Sequence, residues 1–127
     1  MNIKTDFRNP TISEMKLFER LFDEEFPGRA ELKGMLPLMQ VRTIDNLGGL
    51  KLLSTAKTRA PVIKRIPVEA EAKDVDGVMI HVLLHTKDGQ PDELEIYRED
   101  GGQLKRLPAP ENFQLIILPP APDNCPM

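Results

Sequence analysis

Between Asp76 and Gly102 apolar and polar residues alternate with a period of two, and a half-buried strand is the geometry that satisfies this period. Val78, Ile80, Val82 and Leu84 fall on one side of such a strand; Met79, His81, Leu83 and His85 fall on the other. The turn residues Asp88, Gly89, Gln90 and Pro91 lead into a returning strand, Glu93 to Arg98. There Leu94 and Ile96 share one face, and Glu93, Glu95 and Tyr97 share the opposite one. Matching apolar face to apolar face admits only registers in which paired residue numbers add to an even number, because a one-residue slip turns every side chain over. With Thr86 opposite Asp92, His85 meets Glu93 and His81 meets Tyr97. With Lys87 opposite Glu93, His85 meets Glu95 and His81 meets Glu99. In both registers His81, His85, Glu93, Glu95 and Tyr97 project from one face, and they form the candidate functional patch.

The rest of the chain predicts an α+β fold: helices first, strands afterwards. Thr11, Ile12, Ser13 and Glu14 fit a capping box. From there Ile12, Met15, Phe18, Phe22 and Phe26 recur at helical steps, with Leu17 and Leu21 widening the stripe. The expectation is an amphipathic helix of about four turns, stopped by Pro27 and Gly28. Arg29 to Leu36 predicts a short second helix closed by Pro37. Leu38 to Ile44 and Leu50 to Ser54 read as strands joined by the Asn46–Gly49 turn. Ile66, Val68, Ala70 and Ala72 alternate as a further strand, an edge strand or one broken at Pro67, which has no N–H to donate. Phe113 to Leu118 is an apolar run that fits one more buried strand. These elements predict one domain over residues 1–118: the helices packed on an antiparallel, meander-like sheet of about five strands, with a Pro-rich tail over 119–127.

The segment DGVMIHVLLHTKDGQPDELEIYREDGG resembles the C-terminal signature of a family of short, mostly bacterial, uncharacterised proteins known as a domain of unknown function. The matching residues are Asp76, Gly77, His81 to His85, Asp88, Gly89 and the run Asp92 to Gly101. Pro10, Thr11, Glu14 and the Asp45-to-Gly49 turn are similar in placement. The resemblance implies no activity, so it carries over no catalytic residue. Some proteins of this kind sit in toxin–immunity settings, which adds weight to an inhibitor role.

Composition excludes several functions. Seventeen Lys and Arg against 20 Asp and Glu leave a net charge of −3, with both signs scattered. Nucleic-acid binding draws on a concentrated basic surface, and the nearest approach is Lys57, Arg59, Lys64 and Arg65, interrupted by Ala60 to Ile63. No nucleic-acid partner is expected. Cys125 is the single cysteine, beside Pro122 and Pro126 in the tail, with no neighbouring base to activate it. Met1 to Asn9 contains no apolar run, so no signal peptide is expected, and no segment is apolar enough to span a bilayer. A cytoplasmic, soluble protein with no membrane partner fits these features.

His81 and His85 have the spacing of a metal motif, but on a strand four residues span roughly 13 Å, too far for both rings to reach one ion. Neither a metal nor another cofactor is expected. Asp74, Asp76, Asp88, Asp92 and Asp100 sit at turns, where Asp is favoured for local backbone bonding. The leading functional expectation is a small binding or inhibitor protein acting through protein–protein contact. The alternative is a small enzyme using the His/Glu/Tyr face for acid/base chemistry, which requires a concave pocket over His81 and His85.

Overall fold

A computed structural model describes residues 6–117. The Pro-rich 119–127 segment, with Cys125, lies outside the described residues. Two helices, α1 (Ile12–Leu21) and α2 (Arg29–Met35), precede six strands: β1 (Met39–Thr43), β2 (Leu50–Ser54), β3 (Val68–Lys73), β4 (Met79–Lys87), β5 (Gln90–Arg98) and β6 (Gln114–Ile116). Together they make an α+β fold. The strands form one antiparallel sheet in the order β1-β2-β5-β4-β3-β6. Only β3-β4-β5 runs as a meander; β2 pairs with β5 rather than with the next strand in sequence, and β6 is added outside β3. The ladder begins at Val68, so it never asks Pro67 for an N–H.

The helix α1 opens with the expected capping box: the Glu14 amide donates to Thr11 Oγ1, and the Thr11 amide donates to Glu14 Oε1. Arg8 grips the same Glu14 carboxylate with both terminal nitrogens, at 2.7 and 2.9 Å, while its backbone exchanges two hydrogen bonds with Val41 on the β1 edge. The start of the helix is thereby tied to the sheet. Its extent and facing differ from the sequence expectation. It stops at Leu21, because Asp23, Glu24 and Glu25 would oppose the negative end of a longer helix; Arg29 Nε instead donates to the Phe22 carbonyl. The buried stripe centres on Leu17, Phe18 and Leu21. Ile12 precedes Leu21 by nine residues, half a turn out of phase at roughly 100° per residue, and it is 78% exposed.

The core is what that stripe and the inward face of the sheet enclose. Phe18, Leu21, Phe22 and Phe26 pack with Ile80, Val82, Leu84, Leu94 and Ile96, and Phe113 joins them from the segment before β6. Phe26 lies beyond the helix and still reaches the core, its ring centroid 6.1 Å from that of Phe22.

A charged group also points inward. Arg98 continues the Leu94–Ile96 face and is only 6% exposed. Its five N–H groups all find carboxylate acceptors: Nε on Asp100, Nη1 on Asp74 and Asp76, and Nη2 on Asp76 and Asp100. Asp74, Asp76 and Asp100 are therefore more than turn residues; from the β3–β4 turn and from the end of β5 they converge on one guanidinium. Asp74 also accepts the amides of Val75, Lys105 and Arg106, which fastens the chain after β5 to the end of β3.

Hydrogen bonding to Arg98 holds the Asp100 carboxyl down to about 2 and lowers that of Asp76. Burial drives the Asp74 carboxyl upward, but the amides of Lys105 and Val75, together with Arg98, outweigh it and keep the group below its ordinary value. Groups depressed in this way contribute stability that is complete above about pH 4 and is lost as the pH falls through their folded-state values. Urea unfolding midpoints should accordingly drop between about pH 4 and pH 2, and Arg98→Met should flatten that dependence. At neutral pH the same substitution should lower the midpoint more than Asp100→Asn does, since it strands the buried Asp74. In the core, Phe22→Ala should cost about 3–5 kcal/mol by urea unfolding; a loss under about 1 kcal/mol would place the helix outside the core.

Candidate functional site

The five patch residues are positioned by the β4–β5 hairpin. Its turn has two residues, Asp88 and Gly89, with φ of 53° and 75°, between the paired Lys87 and Gln90. Left-handed geometry at both positions is the primed turn that the twist of a hairpin favours, and Gly supplies it without strain. Such a turn fixes an odd register, in which apolar residues would face polar ones. One extra residue on β5 resolves the conflict. Thr86 pairs with Pro91 and His85 with Glu93, so Asp92 bulges out of the ladder. Thr86 therefore does not face Asp92, as the simple register assumed. Beyond the bulge the even register holds: His85↔Glu93, Leu83↔Glu95 and His81↔Tyr97.

All five residues lie on the outward face, opposite the core. The side-chain bonds run diagonally rather than straight across. His85 Nε2 lies 2.9 Å from Glu95 Oε1, and His81 Nε2 lies 2.8 Å from Glu99 Oε1. The partners that the second register set opposite are thus reached within the first. His81 stacks on Tyr97, with ring centroids 4.9 Å apart and planes 18° from parallel. Its Nδ1 lies 3.8 Å from a Glu71 oxygen on β3, so one imidazole is flanked by two carboxylates. Glu93 stands beside His85 and opposite Lys51 of β2.

Partial burial, and then the charges of Glu95, Glu69 and Glu99, push the Tyr97 phenol up. Tyr97 thus remains a hydrogen-bond donor through neutral pH. With Leu83 between the two histidines and Glu69 opposite it, the face is a row of carboxylates and imidazoles interleaved with half-buried apolar side chains. Clefts of about 840, 620 and 340 Å³ open elsewhere, and none is lined by a patch residue. Among the described residues no three His, Cys, Asp or Glu side chains are placed to hold a metal ion.

Sequence reading missed Glu71 as a neighbour of His81, because β3 pairing is set by the fold, and it reached Glu99 only through the register that the ladder does not adopt. It also missed Arg98, whose parity with Leu94 and Ile96 was the available signal. The stack offers a direct measurement. His81→Ala and Tyr97→Ala should couple by about 0.5–1 kcal/mol in a double-mutant cycle. His85→Ala and Tyr97→Ala, which share no contact, should add within about 0.3 kcal/mol.

No curated protein and no solved structure matches the chain. A family model does, over residues 7–108, a span that takes in both helices, β1 to β5 and every residue of the patch. The chain belongs to the family described as the domain of unknown function DUF6984.

Proposed function

We propose that this protein is a small binding protein of the inhibitor type, working in the cytoplasm by docking the outward face of β3-β4-β5 onto a basic surface of a partner protein. The observation behind this reading is the composition of that face. Glu69, Glu71, Glu93, Glu95 and Glu99 surround His81 and His85, with Lys73 at one corner, while Met79, Leu83 and Tyr97 supply apolar area between them. An interface needs such an arrangement: apolar contact at the centre, charge around it, and side chains already held in place. Charge complementarity would steer a basic partner and reject acidic ones.

The acid/base alternative has less support, because none of the three clefts described is lined by His81 or His85, and a water-excluding pocket is what proton transfer there would need. A photo-crosslinking residue placed at Leu83 and, as a control, at exposed Lys33 tests the docking reading in cells of the native host. The expected result is a protein adduct from Leu83 alone, lost in the Glu71→Lys/Glu95→Lys variant. Identical adducts from both positions, or none from Leu83, would overturn it.

A further inference from the structure

Around the β4–β5 turn the fold gathers cations that are scattered in sequence. One cleft there, of about 620 Å³, is lined by Ile63, Lys64 and Arg65; its neighbour, of about 340 Å³, is lined by Leu53, Lys57 and Arg59. Both share Lys87, Asp88 and Asp92, so the two clefts lie on either side of the turn. Lys51 joins them through its ion pair with Asp92. Lys57, Arg59, Lys64, Arg65 and Lys87 make no ion pair with another described residue. At this end six cations stand against Asp88, Asp92 and Glu93, the last of them paired with Lys51 in the ladder.

The loop that carries Lys57, Arg59, Lys64 and Arg65 is also held in place through its backbone. The Ala60 amide donates to the Gly89 carbonyl at 2.8 Å, and the amide and hydroxyl of Thr86 both donate to the Arg65 carbonyl. Gln90 Nε2 donates to the Ala56 carbonyl at 2.7 Å. A Cβ at Gly89 would come within 2.8 Å of the Ala60 oxygen, so the loop lies directly against the turn. A backbone fixed in this way reduces the ordering cost of binding.

We propose that this basic end is a second docking site, distinct from the outward sheet face, and that it takes an acidic segment of a partner protein that also carries apolar side chains. The apolar requirement comes from Ile63, 64% exposed beside Lys64 and Arg65, and from Leu53 in the neighbouring cleft. A nucleic acid fits less well. Neither cleft has an aromatic residue on which a base could stack. Asp88 stands at the apex between the clefts, where a continuous phosphate chain would have to pass. An acidic peptide can space its carboxylates to either side of Asp88 and set an apolar residue against Ile63.

The test is a titration of the full chain, followed by amide chemical shifts, with a synthetic peptide of repeating Glu-Glu-Leu and with an oligothymidylate of matched charge. The peptide should shift Ala60, Arg65, Lys87 and Gly89 saturably, and it should bind more tightly than the oligothymidylate. Lys64→Ala and Arg65→Ala should each weaken peptide binding up to roughly fivefold at low salt, the upper range for one exposed charge pair. Asp88→Asn, which retains the left-handed turn position, should tighten it. Absence of saturable binding, shifts centred on Glu71 and Glu95, tighter binding of the oligothymidylate, or indifference to Asp88→Asn would each overturn the proposal.

Discussion

A guanidinium taken out of water is tolerable only if every N–H finds an acceptor, and Arg98 meets that condition with five bonds to three carboxylates. Much of the topology depends on it. After β5 the chain has to reach β6, which lies beyond β4 and β3 in the sheet. It crosses at the end of the meander, where Asp74 receives Arg98 and the amides of Lys105 and Arg106 together. From that anchor, residues 107–111 run to α1, and Phe113 enters the core. Without Asp74 in place, the return path would lose the side-chain hydrogen bonds to the amides of Lys105 and Arg106, leaving Leu104 packed against the core as its other hold. The cluster therefore sets where β6 can add, and β6 in turn removes β3 from the sheet edge.

The second constraint acts at the other end of the same hairpin. A two-residue primed turn and a one-sided apolar sheet demand registers of opposite parity, and the bulge at Asp92 reconciles them. If the same sequence paired on from that turn with Asp92 inside the ladder, Leu94 and Ile96 would face outward and Glu93, Glu95 and Tyr97 toward α1. The candidate site thus depends on Asp92 being left out of the ladder. That residue also serves locally: the Asp92 carboxylate reaches Lys51 at 2.9 Å and keeps the basic end from being wholly unpaired.

These two constraints separate what was legible in the sequence from what was not. The faces of β4 and β5, the membership of the patch and the capping box all follow from spacings within a few residues, where period and parity are strict. The strand order does not, since β2 and β5 are distant in sequence and meet only because the core selects them. The end of α1 at Leu21 was a contest between hydrophobic spacing and three consecutive acidic residues, and spacing alone gave too long a helix. Ile12 looked like part of the stripe because it keeps a three-residue step to Met15, yet the phase of the face is set by Leu17, Phe18 and Leu21. Asp74, Asp76 and Asp100 were read as turn formers, which they are; their convergence became visible only once Arg98 was known to point inward. The parity that placed His81 outward also places Arg98 inward, so the rule that exposed the patch contained the anchor too.

The chemistry of the outward face follows from how its polar groups are spent. His81 has a carboxylate 2.8 Å from one ring nitrogen, another carboxylate 3.8 Å from the other, and Tyr97 stacked on its ring. His85 is engaged by Glu95. A general base needs a nitrogen free to take a proton from a bound substrate in a site that excludes water. His81 has carboxylates near both ring nitrogens, and none of the three clefts described is lined by either imidazole. The same arrangement suits docking, where side chains that are already ordered lose little entropy when a partner arrives. The basic turn lies at one end of the strands that carry this acidic face. A partner with its own charges correspondingly divided would be held in one orientation, because rotating it would bring like charges together.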